Sequence, residues 1–299
     1  MKPQTLATLA ALLGYTIFGF SFLFSTIALE QAAPLTLLSI RFLVAFAALN
    51  LILWARKIRF SFHGKPVKML LLLGLVQPVI YFLCENYGIS MTSTSFSGVI
   101  IGTIPVFGLI TSRIFLKEPI STRQCLCAAC SLFGVSLTTL GGALSFSPLG
   151  VVLLFGAAIS ASMFNVISRS IAPHFTALER TYIMSALGSS VFTVLALLEN
   201  RGNISAILLP LRSPSFCLSL VYLSLVSSIG AFFLLNYANN YISAATVSLF
   251  TNFTTVISIL AGILIMGDRF TLPQLCGIVI ILASMFVVSL PAKAKNETK

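Results

Sequence analysis

A fixed offset of 150 residues relates the two halves of this chain. Phe82, Asn86, Tyr87, Ser93, Val106, Gln124 and Leu132 are matched by Phe232, Asn236, Tyr237, Ser243, Val256, Gln274 and Leu282. Glu118 and Asp268 fall on the same offset, as do Ser121 and Thr271, and no gap is needed. The repeated unit is almost wholly apolar. An internal repeat of apolar spans is the pattern of membrane carriers built from two related halves.

Charged residues make up only 8% of the 299 positions, against 58% hydrophobic ones. A soluble chain of this size carries roughly a quarter charged residues. The composition therefore implies an all-α integral membrane protein with almost no extramembrane domain. Ten segments reach the length of about 20 residues that a bilayer-crossing helix needs. They are Leu6–Leu29, Leu35–Ala55, Val67–Tyr87, Phe96–Leu116, Thr122–Leu140, Leu149–Ser168, Leu178–Leu198, Phe216–Asn236, Thr246–Met266 and Leu272–Leu290. The first lacks the short apolar core and small-residue exit of a signal peptide, so it reads as a mature helix. Five spans per half is an odd number, so the second half must enter the membrane from the opposite side. The expected organisation is an inverted pair of five-helix repeats, 1–142 and 143–292, followed by a disordered cytoplasmic tail over 293–299.

The net charge of +11 could suggest nucleic acid, but its placement suggests topology. With the N-terminus inside, the inner face receives Lys2, Arg56, Lys57, Arg59, Lys65, Lys68, Arg113, Lys117, Arg123, Arg169, Arg180, Lys293, Lys295 and Lys299. The outer face receives Arg201, Arg212 and Arg269, and Arg41 lies within a span. A bias of 14 to 3 follows the positive-inside rule and puts both termini in the cytoplasm. All six cysteines fall in spans, and Cys127-x-x-Cys130 has no second pair or nearby His to make a metal or redox site. Packing is the expected role.

Candidate site residues come from polar groups at membrane depth. Gly98, Gly102 and Pro105 share one face of span four, and their offset partners in span nine are Ser248, Asn252 and Thr255. The Gly98-x-x-x-Gly102 spacing favours close helix packing, with a cavity lining as the alternative. An amide at position 252 needs partners away from lipid and is expected to face a central cavity. Gln77, Tyr81 and Glu85 recur every four residues on span three. Arg41 and Glu85 are the ionisable groups expected in the outer half of the membrane, either as a structural ion pair or as cavity-facing charges. Asn165 in span six is the strongest of the remaining polar positions, ahead of Ser21, Ser25, Tyr182, Ser185, Ser227 and Ser228. Tyr15, Phe18 and Phe22 could line the cavity from span one. There is no G-x-x-x-x-G-K-[ST], H-E-x-x-H or G-x-S-x-G, and both His63 and His174 lie in loops, so no enzymatic centre is expected.

Two stretches resemble a known family. Phe115-Leu116-Lys117-Glu118-Pro119-Ile120-Ser121-Thr122-Arg123-Gln124 follows span four, and Met266-Gly267-Asp268-Arg269-Phe270-Thr271-Leu272-Pro273-Gln274 follows span nine. Both are similar to the acidic-x-x-[ST]-x-x-Q turn after the fourth helix of each EamA domain in the drug/metabolite transporter superfamily. Pro34 with Ile40-Arg41-Phe42 resembles that family's helix-two motif. Physically, Ser121 and Thr271 can cap the helix that follows. The chain departs from the family in having Phe18-Gly19 where Trp-Gly is frequent. It also lacks a helix-two Arg in the second half, where Thr181, Tyr182 and Met184 stand. The resemblance implies a bacterial inner-membrane carrier, often an exporter of amino acids or related metabolites.

The function expected is secondary transport of a small neutral or zwitterionic metabolite by alternating access. A phosphorylated cargo would need several cationic groups, and only Arg41 is available in the spans. The rivals are an intramembrane lipid-handling protein and a non-transporting sensor. No cofactor or metal is expected. Partners are a small-molecule substrate and the bilayer, not nucleic acid, with a homodimer left open. The substrate-binding set is Arg41, Gln77, Tyr81, Glu85, Gly98, Gly102, Asn165, Ser248 and Asn252.

Overall fold

The computed structural model describes residues 2–92, 100–138, 147–261 and 271–289. Among them the regular structure is helical throughout. Helices α1 (Pro3–Leu29), α2 (Pro34–Ala55), α3 (Val67–Gly88), α6 (Pro148–Ile171), α7 (Ala177–Glu199) and α8 (Pro214–Tyr241) are long and apolar enough to cross a membrane. Shorter helices are α4 (Ile104–Phe115), α5 (Thr122–Thr138), α9 (Ala244–Ser258) and α10 (Leu272–Ser289). The protein is a multi-pass membrane protein. Its surface agrees: Trp54, Leu198, Leu218, Leu272 and Phe286 are all more than two-thirds exposed, which only lipid accommodates at such density.

Local sequence sets the helix starts. Proline occupies the first turn of α1, α2, α6 and α8, where its missing N–H costs nothing. Thr176 and Glu179 form a reciprocal capping box at the start of α7. The turn shared by the two halves behaves alike in both: the backbone N–H of Ser121 donates to Gln124 Oε1 at 2.9 Å, and that of Thr271 to Gln274 Oε1 at 3.0 Å. The Ser121 hydroxyl also accepts from the Gln124 N–H at 3.2 Å, so the expected cap is present in the first half.

Helix three is broken and helix eight changes its winding, where uninterrupted spans were expected. In α3, Leu75–Ile80 leaves α geometry and Gln77 is extended (φ −140°, ψ 120°), with a cis Gln77–Pro78 peptide. Pro78 supplies no N–H and breaks the ladder there. In α8, Tyr222–Ala231 is wound as a π-helix. The two irregular segments overlap at the repeat offset. A 3-10 turn at Phe250–Asn252 interrupts α9 as well.

The helices pack across the halves. α2 lies along α7, α5 along α10, α1 against α8 and α9, and α3 and α4 against α6. Two contacts need glycine. A Cβ on Gly277 would lie 2.4 Å from the Gly134 carbonyl, so α5 and α10 touch backbone to backbone. One on Gly108 would lie 2.2 Å from Ser248 Cβ, so α4 and α9 approach equally closely.

Four turns meet at one end of the bundle, here the basic end. Lys65 pairs with Glu179 at 2.8 Å, joining the α2–α3 and α6–α7 connections. Arg169 pairs with Glu118 at 3.7 Å, reaching the α4–α5 turn. Arg169 also donates to the carbonyls of Asn239 and Asn240 at 2.9 and 2.6 Å, and Gln124 to Thr246 at 3.2 Å, bringing in the α8–α9 turn. At the opposite end, the Ser147 N–H donates to the Met91 carbonyl at 3.1 Å.

Candidate functional site

Polar side chains inside the bundle form three groups. The first surrounds Arg41, which is 4% exposed although its Cα lies well inside α2. Its Nε donates to Ser228 Oγ at 2.8 Å and one terminal nitrogen to Ser227 Oγ at 3.0 Å. Ser21 of α1 donates to Ser227 at 2.8 Å. Both serines sit in the π-wound part of α8, so that irregularity presents two hydroxyls to one guanidinium. The guanidinium carbon stands 4.9 Å from the Phe82 ring centroid and 5.6 Å from that of Phe42. Its second terminal nitrogen makes no hydrogen bond among the described residues.

Glu85 belongs to the same neighbourhood. It is 7% exposed and accepts from the Tyr81 hydroxyl at 2.7 Å. The direct ion pair with Arg41 is not formed: among the described residues the ion pairs are Lys65–Glu179 and Arg169–Glu118. The serines of α8 take the two donors that a carboxylate would have used. Gln77 is buried at the break in α3, and its side-chain oxygen has no partner among the described residues. A small cavity of about 70 Å³ between α2 and α3 is lined by Phe82, Leu35, Leu38 and Asn86 among others. Phe82 thus borders both this space and Arg41.

The second group joins α4, α5, α6, α8 and α9. Asn165 donates to Ser248 Oγ at 3.0 Å and accepts from Asn239 at 3.1 Å. The Tyr15 hydroxyl faces Asn165 and Thr251. Asn252, expected to face a cavity, is 2% exposed and committed within the bundle. It donates to the Gly102 carbonyl at 3.2 Å and to Ser131 Oγ at 2.8 Å. Those bonds bolt α9 to the segment before α4 and to α5. Gly98 lies outside the described residues. Phe18 packs edge-on against Phe232, whereas Phe22 is 41% exposed and faces outward, away from the interior expected for it.

The third group was missed. Arg180, sorted to the inner face on charge counting, is fully buried at the start of α7. It donates to Ser168 O at 2.6 Å, Ser168 Oγ at 2.8 Å and Asn236 O at 2.8 Å, and to Asn240 Oδ1. Asn236 in turn accepts from Ser168 at 2.7 Å and donates to Thr181 at 3.2 Å. The second half thus has its own buried arginine in helix two, one turn before Met184. Its signal was the polar run Asn236 to Asn240 at the end of an apolar span, which needs a donor.

Comparison with known proteins follows this architecture. The model of the EamA-like transporter family matches residues 5–140 and again 148–290. This chain belongs to that family. It carries two EamA domains, and both matches fall on the repeat. It is 34% identical over 99% of its length to an uncharacterized transporter, YcxC, of Bacillus subtilis (strain 168), covering 96% of that protein. A WAT1-related protein of Arabidopsis thaliana, At2g39510, is 25% identical over 90% of this chain and 80% of its own. A crystal structure at 17% identity superposes with a TM-score of 0.75, covering 94% of this chain and 95% of the other, which shows a common fold.

Of the cysteines, Cys125, Cys130 and Cys276 are exposed on α5 and α10, and Cys127 is buried. Among the described residues no cluster of His, Cys, Asp or Glu could hold a metal ion.

Proposed function

We propose that this chain is a secondary transporter of a small neutral or zwitterionic metabolite, with amino acids the leading class. It works by alternating access across the bacterial inner membrane as ten helices in two inverted five-helix repeats, with both termini cytoplasmic and export the working direction. The observation that carries this reading is the exchange symmetry of the packing. α1 lies on α8 as α6 lies on α3, while α2–α7, α4–α9 and α5–α10 pair each helix with its own repeat equivalent. Asn252 and Gly102 occupy equivalent positions and touch. Such contacts fit halves related by an axis in the membrane plane, for which trading the two halves' conformations converts one open side into the other.

Cross-linking of four even-numbered connections at the basic end supports the same topology. The irregular segments in α3 and α8 support a substrate site between the halves, since interrupted helices supply polar groups at depth. Arg180 does not widen the cargo to phosphates, because its donors are already taken by neutral acceptors. Arg41 remains the cation with a donor to spare.

The test is counterflow in liposomes holding the purified protein, with a panel of amino acids, amides and small sugars. Uptake of radiolabelled solute against an internal pool of the same solute supports transport. Failure of every solute to exchange overturns it.

A further inference from the structure

The bundle buries two arginines in opposite ways. Arg180 sends hydrogen bonds to four acceptors on α6 and α8 and has nothing left to offer a ligand. Arg41 is nearly as deep, yet it meets two serine hydroxyls and two phenyl rings and keeps one terminal nitrogen unbonded among the described residues. A buried cation left without an anion is unfavourable unless something else completes it.

Glu85 presents the converse case. It is buried, one of its oxygens accepts from Tyr81 at 2.7 Å, and among the described residues no cation bonds to it. The two groups are close. Phe82 carries the guanidinium over its ring, and Glu85 is three residues further along the same helix, so it occupies the adjacent turn on that face. Opposite charges in such proximity would gain by collapsing onto each other. Ser227 and Ser228 instead hold the guanidinium toward α8, and Tyr81 holds the carboxylate on α3. At the break in α3, Gln77 keeps a buried oxygen with no donor among the described residues.

We infer that Arg41 and the α3 face of Glu85 and Tyr81 are the two poles of one zwitterion site. The ligand carboxylate meets Arg41 between α2 and α8, and the ligand ammonium meets Glu85. This rests on the transport reading above and specifies its orientation. Each end of the ligand supplies the charge that its pole lacks, and a carboxylate suits the planar fork of a guanidinium. The ligand side chain then lies toward the cavity bordered by Phe82.

The experiment uses the full chain in liposomes. Counterflow of an equimolar mixture of labelled amino acids is measured against four unlabelled competitors: the free amino acids, their methyl esters, their N-acetyl derivatives and their N-acetyl amides. The methyl esters keep only the ammonium, the N-acetyl derivatives only the carboxylate, and the N-acetyl amides neither. Competition by each blocked form is expected to be roughly tenfold to a hundredfold weaker than by the free form, the range for a lost charge-assisted hydrogen bond. Arg41→Gln should erase discrimination against the methyl esters alone, and Glu85→Gln discrimination against the N-acetyl derivatives alone. If either variant fails to fold, competition on the unmutated protein still decides. Equal competition by free and blocked forms overturns the two-pole site while leaving transport intact. Discrimination that both variants retain also overturns it. Absence of any amino acid uptake removes both the site and the zwitterionic cargo.

Discussion

Arg180 gives the most quantitative handle on the basic end of the bundle. Replacing it with Met keeps a long apolar stem and removes every donor. The buried carbonyls of Asn236 and Ser168 then lose a charged donor, as does the part-buried Asn240 Oδ1, while Ser168 Oγ and Asn236 Oδ1 retain each other. An orphaned buried acceptor costs about 1–3 kcal/mol, so the pair sums to about 2–6 kcal/mol. Removing the guanidinium also removes its own desolvation cost, which acts in the opposite direction. The net loss expected is therefore near the lower end, about 2–3 kcal/mol. The same bonds tie α6, α7 and α8 together, so their loss should loosen that end in particular. Thermal melting in detergent reads the first effect. Labelling of an Ala161→Cys probe on a cysteine-free background reads the second, with an impermeant thiol reagent applied from the basic side. Arg180→Met should lower the melting temperature and speed labelling, and Arg180→Lys should fall between, since one ammonium cannot span three helices. Unchanged melting and labelling in Arg180→Met would refute the view that this arginine latches the basic end.

Three further outcomes follow from named contacts. Because Arg41 and Glu85 do not pair directly, the double variant Arg41→Ala/Glu85→Ala should recover less than about 3–5 kcal/mol, the cost of breaking a direct buried pair, and full rescue would contradict the geometry. Gly277→Ala forces a methyl against the Gly134 carbonyl and should cost about 1–3 kcal/mol, whereas Gly230→Ala meets only the Leu225 carbonyl at 3.8 Å and should melt like the parent. Single cysteines at Lys65 and Asn203 should label from opposite sides of the membrane, and labelling from one side would defeat the ten-span topology.

The repeat was legible because its markers are local. Gln124 and Gln274 each cap their own turn, a chemistry contained within four residues. Six of the expected spans were equally plain from apolar length. The break in α3 was legible in principle, since Pro78 stands in the middle of a span, but an apolar window reads straight through it. Arg180 was not legible from charge counting. Its acceptors come from Ser168 on α6 and from Asn236 and Asn240 on α8, and a one-dimensional sort cannot distinguish an interfacial arginine from one turned inward. Asn252 was identified correctly as needing partners, yet which partners depended on tertiary packing. Arg41 and Glu85 were identified as intramembrane charges. Their separation by the serines of α8 was invisible, because a serine in a membrane helix most often bonds its own backbone.

The contact between Asn252 and Gly102 carries a consequence for how such a chain arises. Were the halves two identical subunits, each position near the axis would confront its own copy. Two asparagines there would crowd each other, and two glycines would leave Ser131 without its donor. Joining the halves in one polypeptide lifts that restriction: one copy can shed its side chain and offer a bare carbonyl, while the other keeps an amide that reaches it and Ser131 together. Covalent fusion thereby allows the centre of a two-fold arrangement to be asymmetric, a freedom that a homodimer of single domains does not have.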